Sequence, residues 1–80
     1  MKIGPMDQLS LGTLVAVGNE LGTIVKAELV ESSNRSGMIV LHTVEFTHRK
    51  RYSFGTRYVV EALKKPKRKT VNYSFIQVVE

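Results

Sequence analysis

The chain has 80 residues, 42% of them hydrophobic, and a formal net charge of +5. That length allows one domain with a small core, burying roughly 60% of the surface the unfolded chain exposes. With no cysteine there is no disulfide, no thiolate nucleophile and no thiolate metal ligand, which points to a reducing, cytoplasmic setting.

The segment from Met1 to Leu11 is expected as a lead-in broken at Gly4-Pro5. It is polar up to Gln8 and has no signal-peptide core. Thr13 to Val17 is predicted as a first short strand, turned at Gly18-Asn19-Glu20, where Gly18 can take a positive φ. Leu21 to Val30 is predicted as a second strand. Leu21, Thr23, Val25, Ala27 and Leu29 share one face, with Lys26 and Glu28 on the other.

Ser32 to Gly37 is a polar loop. Met38 to Phe46 is predicted as a third strand, with Met38, Val40, His42, Val44 and Phe46 on one face and Thr43, Glu45 and Thr47 on the other. Residues 48–52 continue that strand or begin a turn, and Ser53-Phe54-Gly55 has turn composition. Arg57 to Leu63 fits a strand, with Tyr58, Val60 and Ala62 on one face, better than a helix of barely two turns. Lys64 to Lys69 is expected as a basic loop interrupted by Pro66. Val71 to Val79 closes the chain, as one strand or as a turn at Asn72 to Ser74 followed by a strand. Eleven Val and four Ile favour strands, and Val25, Val40, Val44 and Ile76 are the expected core. The longest apolar run is four residues, as at Met38 to Leu41, too short to span a membrane.

These elements describe a single all-β domain over residues 1–80, a small barrel of about five short antiparallel strands whose closure would remove exposed edges. Two pieces resemble SH3-like small barrels. Gly12-Thr13-Leu14-Val15-Ala16-Val17 with Leu21-Gly22-Thr23-Ile24-Val25 is similar to the opening hairpin of KOW-type barrels. Asn72-Tyr73 ahead of Ile76-Gln77-Val78-Val79 is similar to the turn and last strand that close SH3 domains. The resemblance implies a binding module; the chain has no Trp, which argues against recognition of proline-rich peptides.

No pattern supports catalysis. The serines include no Gly-x-Ser-x-Gly, and the glycines form neither a phosphate loop nor a dinucleotide fingerprint. The carboxylates show no motif pairing. His42 and His48 would share a face on a continuous strand, but zinc needs further ligands. The expectation is therefore no enzyme, no cofactor and no metal.

Charge is concentrated instead. Residues 1–40 hold three basic and four acidic side chains; residues 41–70 hold nine and two. The cations are Arg49, Lys50, Arg51, Arg57, Lys64, Lys65, Lys67, Arg68 and Lys69, in a segment spanning 47–70. Converging cations bind phosphates, and Tyr52 and Phe54 lie among them, where aromatic rings can stack on bases. Tyr58 and Tyr73 are also close. The leading expectation is a non-catalytic nucleic-acid-binding accessory module, for DNA or RNA. The alternative is a protein-interaction or assembly module, oligomeric or not, that binds an acidic partner or pairs strands edge to edge; the lack of domain context would suit a phage or mobile-element protein. A structural subunit of a larger assembly, or a basic segment that serves only solubility, are the remaining readings.

Overall fold

The computed structural model describes residues 1–32, 37–52 and 57–79. The strands are β1 (Leu14–Val17), β2 (Glu20–Glu31), β3 (Met38–Tyr52), β4 (Tyr58–Val71) and β5 (Gln77–Val78), with one 3-10 turn at Tyr73–Phe75. They form one antiparallel sheet in the order β4-β3-β2-β1-β5. The domain is thus all-β. Among the described residues there is no α-helix, and none long and apolar enough to cross a membrane.

The β1–β2 hairpin closes through Gly18-Asn19, with Val17 opposite Glu20. Gly18 has φ of 60°, the positive value that the first position of a II′ hairpin turn requires. At the far end Asn72 caps the 3-10 turn, its side-chain oxygen accepting from the Ser74 N–H at 3.0 Å. That turn delivers β5 to β1, where Val78 stands opposite Val15.

Three strands are longer than expected, at 12, 15 and 14 residues, and bulges bend them. Thr47 is skipped between the pairs Leu21–His48 and Gly22–Phe46, and Val25 between Ile24–Val44 and Lys26–Thr43. On the other side of β3, Phe46 pairs with Lys67 but His48 with Ala62, so residues 63–66 of β4 bulge out against Thr47. Each bulge flips the faces of the residues beyond it. Val25, expected in the core, is consequently only half-buried, and Ile24 is buried in its place. His42 and His48 do not share a face: the first is fully buried, the second exposed.

The expected basic loop is also corrected. Lys67, Arg68 and Lys69 pair with Phe46, Glu45 and Val44 as part of β4. Because β4 is an edge strand, its exposed cations need no cover, and Pro66 falls in the bulge, where no ladder bond is required.

The core is Val15, Ile24, Val44, Phe46 and Ile76, all at most 2% exposed, with Leu63 and Val71 of β4 packed against it. Val40 is buried beside it. Gly22 sits against β3 with no room for a side chain: a Cβ there would collide with the Glu45 carbonyl.

No ladder joins β4 to β5 among the described residues, so the sheet is open, not closed as expected. The N-terminal segment crosses the gap instead. Lys2 bridges Gln77, and the Met1 ammonium donates to the Val78 carbonyl at 2.8 Å. Farther on, the Val40 N–H donates to the Pro5 carbonyl at 2.8 Å and the Leu9 N–H to His42 Nε2 at 3.0 Å. The lead-in is therefore a strap from β5 to the edge of β3 that β4, ending opposite His42, leaves uncovered. At the opposite end, β3 and β4 continue past the start of β2 as a two-stranded ribbon, Lys50–Tyr52 against Tyr58–Val60.

Candidate nucleic-acid interface

The cations expected to bind phosphate sit on β3 and β4, and strand alternation divides them. Arg49 pairs with Glu61, Lys50 with Val60 and Arg51 with Val59. Arg49 and Arg51 thus share one face with Glu61, and Lys50 takes the other.

On the first face Arg51 Nη1 donates to Glu61 Oε2 at 3.1 Å, and Arg49 Nη2 lies 3.7 Å from Oε1. The hydrogen bond from Arg51 above all, aided by both guanidinium charges, holds the Glu61 carboxyl below its ordinary range. Lys67 Nζ meets Glu20 Oε2 at 2.8 Å, and Arg68 Nε meets Glu45 Oε1 at 3.4 Å. These pairs are solvent-accessible and add little stability. Their effect is electrostatic: three glutamates partly neutralise four of the cations. Among the described residues, Lys50, Arg57, Lys64, Lys65 and Lys69 form no ion pair.

The β4 bulge brings some of these groups together. Arg49, Lys64, Lys65 and Lys67 line one cleft of about 340 Å³ with Glu20 and Glu61. Leu63 turns inward at the bulge and anchors it to the core, while Lys64 and Lys65 stay exposed. Four cations around two carboxylates form a net positive concavity of a kind that can track a phosphate backbone.

The other predicted residues lie elsewhere. Lys69 pairs opposite Val44 and Arg68 opposite Glu45, farther along β4. Arg57 is exposed just before β4. Lys50 lies on the opposite face, its Nζ 5.0 Å from the centroid of the Tyr58 ring, within cation–π range. Tyr52 ends β3 opposite Tyr58; its side chain, and Phe54, lie outside the described residues.

That opposite face holds what the charge pattern does not reveal. Leu14, Leu21, His48, Lys50, Tyr58, Val60 and Val79 line a mostly apolar groove of about 420 Å³. Its sequence signal is the alternation of Tyr58, Val60 and Ala62. In a half-buried strand that pattern marks the core face, but the Thr47 bulge turns it outward. Among the described residues no group of three or more His, Asp or Glu side chains could hold a metal ion.

No family model, curated protein or solved structure matches the chain.

Proposed function

We propose that the chain is a non-catalytic nucleic-acid-binding module of the cytoplasm, built as an SH3-like barrel left open at β4. The observation that carries the binding reading is the cleft at the β4 bulge, where Arg49, Lys64, Lys65 and Lys67 converge. The SH3-like reading is supported by the pairing of β5 with β1 directly after a 3-10 turn. Phosphate binding there is sequence-tolerant, because cations position a backbone and carry no base code.

The test is a titration of the purified chain with single- and double-stranded DNA and RNA over a range of salt. Four phosphate contacts give a slope of log affinity against log salt of about −4 on duplex DNA. Replacing Lys64 and Lys65 together with Ala flattens that slope by about two and weakens all sequences alike. Absence of binding to every one of these nucleic acids at low salt would overturn the reading.

A further inference from the structure

The distal half of β4 differs from the rest of that strand. An edge strand leaves a row of backbone donors and acceptors open to pairing, and Lys or Pro residues normally guard it. The C-terminal half of β4 has such guards in Lys64, Lys65, Pro66, Lys67, Arg68 and Lys69. Residues 58–62 have none of them: Val59 and Val60 are 53% and 54% exposed, and Glu61 is turned to Arg49 and Arg51.

The direction of the backbone there follows from one hydrogen bond. The Lys50 N–H donates to the Asn19 carbonyl at 2.7 Å, away from β4. In an antiparallel ladder the N–H and C=O of a residue point to the same side, and successive residues alternate. Lys50 and its partner Val60 are therefore a non-hydrogen-bonded pair. Val60, and Ala62 two residues on, aim their N–H and C=O groups away from β3, toward the open edge.

We propose that this edge accepts an added strand: an extended segment of a partner protein in which apolar and acidic residues alternate. Its backbone pairs with Val60 and Ala62. Its apolar side chains lie beside Tyr58 and Val60 and extend the groove with Leu14 and Val79. Its carboxylates fall on the other face, toward Arg51 and Arg49, where a second acid competes with Glu61. Charge selects this occupant over a second copy of the chain, since residues 41–70 carry nine cations against two acids and would face their like. A polynucleotide offers no row of alternating amide donors and acceptors at strand spacing. The site goes beyond the nucleic-acid reading, because it depends on the β4 backbone and not on the lysines of the bulge.

The experiment is amide NMR of the labelled full chain, titrated to millimolar concentration with an end-blocked peptide of alternating Glu and Val about seven residues long, near the usual strand length. The expected result is a shift of the Ala62 and Val60 amides with slowed hydrogen exchange at both. A Lys–Val peptide gives neither. The same Glu–Val peptide N-methylated at alternate residues, which keeps its side chains but loses the donors of one edge, also gives neither. Val60→Pro removes an outward N–H and leaves the β3 ladder intact, a position where edge proline is tolerated; it weakens peptide binding about tenfold or more. Lys64→Ala with Lys65→Ala, which impairs the nucleic-acid cleft, keeps the protection at Val60 and Ala62. The proposal is overturned if the Glu–Val peptide leaves those two amides unprotected, or if the N-methylated peptide binds equally well. It is also overturned if dilution of peptide-free protein changes the two amides, which would make a second copy the occupant, or if oligothymidylate protects them in the same way.

Discussion

The backbone amide of Leu9 donates to Nε2 of His42 at 3.0 Å, joining the N-terminal strap to a ring with no exposed surface. A nitrogen that accepts leaves the ring proton on Nδ1, so the imidazole is neutral. Nδ1 has no partner among the described residues, and burial lowers the pKa of the ring below its ordinary value of 6.5.

Stability follows from the direction of that shift. Above pH 6.5 the ring is neutral in both the folded and unfolded chain, and His42 gives no pH dependence. As pH falls below 6.5 the unfolded chain takes up a proton that the folded one refuses, so the folded state loses ground until the folded pKa is passed. The urea midpoint should be flat from about pH 7 to 8 and fall as pH drops below about 6.5. His42→Asn should be less stable overall but flat across that window. An equal fall in the variant would show that another group is responsible.

Core packing at the centre of the sheet should be unforgiving. Phe46 is 2% exposed, and Phe46→Ala should cost about 3–5 kcal/mol against a total of about 5–15 kcal/mol for a native domain. Val44→Asp, which buries an unpaired charge, should abolish the cooperative melt. Thermal denaturation followed by circular dichroism reads both; a Val44→Asp chain that still melts cooperatively would place Val44 outside the core.

Gly22→Ala tests the close approach of β2 to β3. The added methyl would collide with the Glu45 carbonyl oxygen, a backbone atom that moves only if the ladder moves. Overpacking of this kind costs about 1–3 kcal/mol. The chemical-denaturation midpoint should drop accordingly, and an unchanged midpoint would mean that the strands can separate without loss.

Glu61→Gln removes the carboxylate shared by Arg49 and Arg51 and frees both guanidinium groups on the cleft face. Nucleic-acid affinity should rise at fixed salt, with the log–log slope steeper by about one. Filter binding or fluorescence anisotropy measures it. A weaker complex would show that Glu61 orients those arginines for binding and does not compete with it.

The sequence carried much of this fold in its alternation. The starts of β2 and β3, the hairpin at Gly18 and the burial of Val40, Val44 and Ile76 follow from period-two patterning and turn chemistry. Val25 was not legible, because a bulge inserts one residue without a compositional mark and inverts the face beyond it. Lys67 to Lys69 looked like loop because Lys and Pro disfavour strands in general; an edge strand uses the same residues as protection. The cations of the site could be named from the chain alone. Their division between two faces, and their neutralisation by Glu20, Glu45 and Glu61, depend on which strand lies beside which.

The sheet order also separates local from distant pairing. β2, β3 and β4 join sequence neighbours, whereas the β1–β5 ladder brings Val15 to Val78, and the strap begins beside β5. Loop-closure entropy makes the hairpins the cheaper contacts, so the meander is expected to assemble before the ends meet. Contacts made after the rate-limiting step govern how long a fold lasts, not how fast it is reached. The residues around Ile76 and Met1 are therefore expected to act as a latch: loosening them should speed unfolding in a stopped-flow measurement and leave the folding rate nearly untouched.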